Sequence, residues 1–297
     1  MCGIVGLFLK TRRYEDRLGE LTAAMLATMS ERGPDSAGFA VYGAEAEGVK
    51  LTLRGPSAAD VAKAVAGLEE TYHRKLNATA RDTHSVILVP QEREAEVRAW
   101  LQANHPDIDI VSAGRRIEMY KEVGLPKDVA ERFGLAAMKG THAIGHTRMA
   151  TESRVTTNGA HPFTTGADQC LVHNGSLSNH NGLRRELQRD GLQFKTENDT
   201  EVAAGYLSWR MAKGDSLKGA LEQSLDDLDG FFTFVVGTEN GFAVVRDPIA
   251  CKPAVMAETE DYVAFGSEYR ALVPLPGIED AHVFEPEPAR VYSWERH

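Results

Sequence analysis

The sequence predicts an α+β fold, with largely antiparallel sheets covered by helices on both faces and a small α/β unit set into the first half. Three observations point there. Strand candidates in the second half are joined by short turns such as Glu239-Asn240-Gly241, as antiparallel neighbours allow. Helices of amphipathic spacing fall between groups of those strands, so both sheet faces have helices available to cover them. Residues 49–117 run strand, helix, strand, helix, strand, the order of a self-contained α/β unit.

Taken in order, Gly3-Ile4-Val5-Gly6-Leu7-Phe8 reads as a strand whose small Gly3 and Gly6 suit a buried terminus that a substrate can approach closely. Leu18, Leu21, Met25, Leu26 and Met29 recur at helical spacing over 14–29, and Gly33-Pro34 stops the helix. Residues 37–42 form a second strand. Within the α/β unit, 49–53 alternates, Ser57 caps a helix running to about 76, 85–89 is a β-branched strand, 92–103 a helix and 108–111 a strand. A further strand is expected at 116–120. Leu125-Pro126-Lys127-Asp128 leads into a short helix ending at Gly134, and Gly140 returns the chain to a strand. Strands follow at 143–149, 169–173, 231–236, 242–246, 254–257 and 262–265, with helices at 178–189, 200–212 and 216–225. Ser178 is placed to cap the first of these helices and Gly191 follows its last turn. Val291-Tyr292 is the last strand candidate.

The formal net charge of -10 argues against a sequence-independent nucleic-acid or anionic-membrane binder, since electrostatics would oppose association. A small polar substrate or a protein partner fits better. No stretch approaches ~20 consecutive apolar residues, and the amino terminus lacks a basic segment followed by an apolar core, so a soluble, cytoplasmic protein is expected. The three cysteines, Cys2, Cys170 and Cys251, lie far apart without a C-x-x-C pair, which gives neither a disulfide framework nor a zinc site. Cys170, in the run Cys170-Leu171-Val172, and Cys251, after Ile249-Ala250, are expected to be buried packing residues.

Chemistry is carried by short motifs. Removal of Met1 would leave a thiol and a free α-amine on Cys2. With a thiol near ~8.5 and an α-amine near ~7.7, one residue then serves as nucleophile and base. A small packing thiol is the alternative. Arg32, where a helix ends and a strand begins, is able to steady a buried terminus or a substrate, or to close the helix. Arg148 ends a strand, and its guanidinium suits either a substrate carboxylate or a structural ion pair. His142 and His146 share a face of that strand, but with no third ligand nearby a metal site is not expected. Asn174 and Gly175 follow an apolar strand and offer a side-chain amide and a backbone N–H to an oxyanion, or an ordinary turn. Asp199 opens a helix, where it serves a substrate ammonium or the helix cap.

Cys2, R-G-P-D-S-A-G at 32–38, G-H-T-R-M-A-T at 145–151, N-G-A-H-P-F at 158–163, L-V-H-N-G-S-L-S-N at 171–179 and N-D-T-E at 198–201 occur in the chain order found in class II glutamine amidotransferases. The sequence closely resembles that family, and within it the stand-alone glutaminase subunits related to glutamate synthase, such as the amidotransferase-like subunit of N-methylglutamate synthase. The resemblance implies an Ntn-hydrolase αββα sandwich, here over 2–48 and 140–297. The stretch 49–139 departs from smaller members of the family, and it is expected to be an inserted small α/β subdomain that docks a partner subunit. It also implies hydrolysis of a γ-glutamyl amide through a thioester on Cys2. Asn174 and the Gly175 N–H would hold the oxyanion, Arg148 and Thr151 the α-carboxylate end and Asp199 the α-ammonium, with Arg32 bordering the site. No G-x-G-x-x-G fingerprint, P-loop or iron-sulfur cysteine set occurs. The acceptor-binding synthase is therefore expected to be another chain of a hetero-oligomer, bearing FMN and an iron-sulfur cluster, and this chain is expected to carry no cofactor or metal. A free-standing amide hydrolase and a catalytically silent scaffold subunit are the competing readings.

Overall fold

A computed structural model of the chain describes residues 2–150 and 155–296. Gly3–Leu9 forms strand β1, and its seven residues are all buried because both faces are covered. Val5, Leu7 and Leu9 face one hydrophobic core, while Ile4 and Phe8 face another, as strand alternation requires. A Cβ at Gly6 would come within 2.8 Å of the Phe242 ring, so the missing side chain allows close stacking.

After a 3-10 turn at Glu15–Arg17, α1 (Leu18–Ala27) and β2 (Ser36–Tyr42) follow. Next come β3 (Val49–Arg54), α2 (Ala58–Thr71), β4 (Asn77–Arg81), β5 (His84–Val89), α3 (Glu94–Asn104) and β6 (Asp109–Gly114). Then β7 (Ile117–Val123), α4 (Pro126–Arg132), β8 (His142–Arg148), β9 (Cys170–Leu177), α5 (His180–Arg189), α6 (Asp199–Ala212) and α7 (Leu217–Asp227) lead to β10 (Gly230–Gly237) and β11 (Gly241–Arg246). Strands β12 (Val255–Glu258), β13 (Tyr262–Gly266), β14 (His282–Phe284) and β15 (Val291–Glu295) complete the chain.

One sheet has seven strands in the order β14-β12-β13-β1-β8-β2-β7, and a second has four, β15-β11-β10-β9. Ile4, Phe8, Ile144 and Phe265 of the first meet Val172, Val235, Phe242 and Val244 of the second in a shared core. The outer face of the first sheet packs Phe39 and Val41 against Leu21, Met25 and Leu26 of α1 and Phe133 beyond α4. On the outer face of the second, Phe234 and Val245 pack against Val202, Tyr206 and Leu221 of α6 and α7. The layers are therefore α, β, β, α, the sandwich the resemblance implied. No helix among the described residues is long and apolar enough to cross a membrane.

A third sheet, β4-β5-β3-β6, is confined to 49–114 and has its own core against α2 and α3, including Leu51, Leu53, Leu68, Val97 and Leu101. The unit expected at 49–139 is shorter by this measure. Strand β7 pairs with β2 from Ser36↔Val123 to Tyr42↔Ile117, and Val129 and Ala130 of α4 join the core around α1. Ile117 and Met119 reach the core between the sheets while Tyr120 reaches the opposite one. A strand buried on both faces belongs in the large sheet, and 115–139 belongs with it.

Other differences are local. The helix capped by Ser57, whose Oγ accepts from Asp60 N at 3.2 Å, ends at Thr71 rather than near 76. Strand β4 escaped sequence reading because Asn77-Ala78-Thr79-Ala80-Arg81 is an exposed edge with no apolar alternation. Ser178 does not cap α5, which starts at His180 after Asn179. Cys170 is buried as expected, and burial pushes its thiol up to about 11. Cys251 is exposed, against expectation. The apolar Ile249-Ala250 before it is a turn, with both amides donating to Asp247 Oδ1 at 2.8 and 3.1 Å, so it is not the buried run its composition suggested.

Candidate active site

Sheet register brings the distant motifs together. Cys2 precedes the central strand β1, whose neighbour β8 pairs Thr147 with Gly3 and His146 with Ile4. Strand β13 lies on the other side of β1, and its end delivers Ser267, whose amide donates to Ile4 O at 3.0 Å. A Cβ at Gly33 would lie 2.5–2.7 Å from the Thr147–Arg148 backbone, so this glycine lets the Arg32 turn close onto β8.

Cys2 is partly buried, with Sγ 3.8 Å from Met149 O. Its carbonyl accepts from Arg32 Nε at 3.0 Å and from Asn174 Nδ2 at 3.4 Å. Arg32 also pairs with Glu268, and that hydrogen bond holds the Glu268 carboxyl below its ordinary pKa. Of the roles open to Arg32, these contacts support the steadying of the terminus.

Asn174 is buried within β9, paired with Thr233 of β10, and three groups fix its amide. Nδ2 donates to Ser267 Oγ at 3.1 Å as well as to Cys2 O, while Oδ1 and the His173 carbonyl each lie 3.2 Å from His146 Nε2. Two acceptors facing one ring nitrogen place the proton on Nε2. Burial lowers His146 to about 3, so the ring is a neutral donor at neutral pH. Its stacking on His161, with centroids 4.0 Å apart, fixes the ring plane. Gly175 follows with φ +151°, and a Cβ there would fall 1.9 Å from Phe231 O, so only glycine fits beside β10.

The helix cap, one of the two roles open to Asp199 in the sequence, falls to its neighbour. Asn198 is the cap of α6, its Oδ1 accepting from Thr200 N at 2.8 Å. Asp199 is thereby left as the first helical residue, with Oδ2 accepting from Leu177 N at 2.9 Å and Oδ1 3.7 Å from His173 Nδ1. Burial alone would raise its pKa, but the His173 contacts and the Leu177 amide outweigh it and bring the carboxyl down to about 2. A carboxyl depressed on folding contributes stability that is complete well above its unfolded value near ~3.9 and is lost as pH falls through about 2. Asp199→Asn is therefore expected to flatten the fall in stability between about pH 5 and pH 2, read as urea midpoints at several pH values. An unchanged slope would contradict this linkage.

Cys2, Arg148, Gly175 and Asp199 wall one cavity of about 740 Å³, together with Gly159, His161 and the segment 196–200. Arg148, at the end of β8, is mostly buried and lies against Gly159, where a Cβ would sit 3.2 Å from Nη1. A thiol, the Gly175 backbone, a cation and an anion thus border one space with room for a small polar substrate. Thr151 lies outside the described residues. His142 is far from this wall, stacked on Tyr42 with centroids 3.9 Å apart and donating from Nε2 to Thr238 O at 2.9 Å. Sequence reasoning missed Ser267 and Glu268 and gave His146 no role. Ser267 had no signal beyond its place after an apolar strand.

Residues 146–274 match the model of a glutamine amidotransferase domain family. Over its whole length the chain is similar to the glutamine amidotransferase-like protein GlxB of Rhizobium meliloti, at 62% identity covering 99% of this chain and 98% of that one. A putative glutamine amidotransferase of Methanothermobacter thermautotrophicus is 34% identical, covering 99% of this chain and 100% of its own. Among solved structures, the glutamine phosphoribosylpyrophosphate amidotransferase from B. subtilis superposes with a TM-score of 0.62 at 20% identity, covering 99% of this chain and 49% of that one. An allosteric regulatory enzyme of purine biosynthesis does so with a TM-score of 0.65 at 21% identity, over 99% of this chain and 47% of its own. The chain spans about half the length of these two structures, and the likeness carries the fold.

Proposed function

The chain belongs to the class II glutamine amidotransferases, and from that premise we propose that it is the glutaminase subunit of a glutamate-synthase-like assembly. Its substrate is the side-chain amide of glutamine or of a γ-glutamyl amide such as γ-glutamylmethylamide. The amine released, ammonia or methylamine, passes to a synthase subunit that carries FMN and an iron-sulfur cluster, as in N-methylglutamate synthase or a related enzyme. The observation that carries the reading is the convergence of Cys2, Gly175 and the Asp199 carboxylate on one cavity wall, with the Asn174 amide held against the Cys2 carbonyl.

Once Met1 is removed, the Cys2 α-amine takes the thiol proton and the thiolate attacks the amide carbon. The carbonyl electron pair moves to oxygen, where the Gly175 N–H stabilises it together with Asn174 Nδ2, which exchanges its long 3.4 Å contact with Cys2 O for the oxyanion and keeps its bond to Ser267 Oγ. Collapse of the tetrahedral intermediate, with the amine returning the proton to the leaving nitrogen, frees the amine and leaves a γ-glutamyl thioester. Water attacks the thioester in turn and releases glutamate. Arg148, with Thr151, holds the α-carboxylate and Asp199 the α-ammonium, so Asp199→Asn should also raise KM by roughly 10–100-fold, the value of a charge-assisted hydrogen bond. Mass spectrometry of the purified protein, with and without a glutamine-analogue electrophile, tests the whole reading. A chain beginning at Cys2 that gains one covalent adduct there is expected. An intact Met1, or a processed Cys2 that stays unlabelled in the presence of the synthase subunits, would overturn it.

A further inference from the structure

We infer that the unit formed by 49–114 clamps the substrate cavity from outside, with Arg54 of β3 and Asp109 of β6 as positioning residues. The inference rests on the reading of that cavity as the amide-substrate site. Arg54 and Asp109 are register partners across the two strands, and Arg54 Nη1 lies 3.6 Å from Asp109 Oδ2. From this pair a contact leaves in each direction. Arg54 Nη1 donates to Asn158 Oδ1 at 3.0 Å, and Lys195 Nζ donates to Asp109 Oδ1 at 3.3 Å.

Each contact reaches a segment that walls the substrate cavity. Asn158 precedes Gly159, which lies against Arg148, and leads to His161, which stacks on His146. Lys195 precedes 196–199, the stretch that ends in Asp199. Both segments have an inner anchor in the main body. The buried Lys121 of β7 donates to the carbonyls of Asn158, Ala160 and Pro162 at 3.2, 2.8 and 3.3 Å. Glu201 of α6 accepts from the amides of Lys195 and Thr196 at 2.9 and 2.7 Å. Arg54 and Asp109 supply the outer anchor and join the two segments to each other through one strand pair. A second cavity of about 390 Å³ lies on this outer side, bordered by Asp109, Lys121, Asn158 and Lys195, and it shares Thr196 with the substrate cavity. Movement of the inserted unit therefore acts on two walls at once, and small displacements of such walls are felt in substrate binding.

Arg54→Ala, Asp109→Asn and Lys195→Met in the full chain test the clamp, read by hydrogen exchange of 155–163 and 195–199 and by glutamine kinetics. Arg54→Ala should speed exchange around 158–162, and Asp109→Asn and Lys195→Met around 195–199. Each should raise KM by about two- to five-fold, the scale of one part-exposed polar pair, with kcat kept within about two-fold. Asp109→Asn with Lys195→Met should be no worse than either alone, since both remove the same pair. Raising ionic strength well above about 0.1 M should move the wild-type KM toward that of Asp109→Asn. Unchanged exchange in both segments would overturn the clamp, and faster exchange with an unchanged KM would overturn its effect on the substrate site. A wild-type chain that hydrolyses no amide would refute the reading of the cavity instead, and hydrogen exchange would still decide the clamp.

Discussion

Cys2→Ala should lower glutamate release by roughly 10⁴–10⁶-fold, the scale on which enzymes lose rate with their covalent nucleophile. No other thiol is placed to substitute. Cys170 is buried between the sheets beside the Tyr42 hydroxyl, 3.4 Å away, and Cys251 is on an exposed turn. The substitution should leave the fold alone for an equally specific reason. The contacts that anchor this end of β1 run through the Cys2 carbonyl, to Arg32 and Asn174, and alanine keeps that carbonyl. The Sγ contact with Met149 O, at 3.8 Å, is the part removed. The melting midpoint should therefore shift by less than about 4 °C, as for a change costing under about 1 kcal/mol in a chain of this size. Glutamate production by purified Cys2→Ala protein at a wild-type rate would exclude Cys2 as the nucleophile.

What could be read in advance follows from how local the signal was. Strands β1, β2 and β10 announce themselves because burial on both faces demands largely apolar runs, and the αββα layering is what imposes that burial. Residues of the site that sit in short motifs, such as Asn174 with Gly175 and Asp199, were visible for the same reason. The Asp199 motif still left a one-residue ambiguity, since Asn and Asp both cap helices, and only the backbone shows that Asn198 caps and Asp199 does not. Ser267 could not be found. Its hydroxyl accepts from Ile4 N at 2.9 Å, 263 positions away in sequence, and no spacing rule links an isolated serine to such a partner. Strand β7 was misassigned to the inserted unit because chain proximity to β6 suggested one sheet, whereas its two apolar faces required another.

Asn174→Ala should reduce kcat by about 10²–10³-fold with little change in KM, the cost of removing one preorganised oxyanion donor. The preorganisation is specific here. His146 Nε2 holds Oδ1, Ser267 Oγ and Cys2 O hold Nδ2, and the amide plane is set before substrate arrives. Because these partners lose their bonds when the amide is deleted, a stability loss of about 1–3 kcal/mol should accompany the change, and rates must be compared well below the melting midpoint. Asn174→Asp separates the two effects. Its carboxylate keeps the size and the bond to His146 but presents negative charge where the oxyanion forms, so kcat should fall at least as far while the glutamine-analogue electrophile still binds. His146→Ala acts only through the orientation of Asn174, so it should cost roughly ten-fold in wild type and almost nothing in Asn174→Ala. Equal losses from His146→Ala in both backgrounds would show that the imidazole acts independently of the amide it faces.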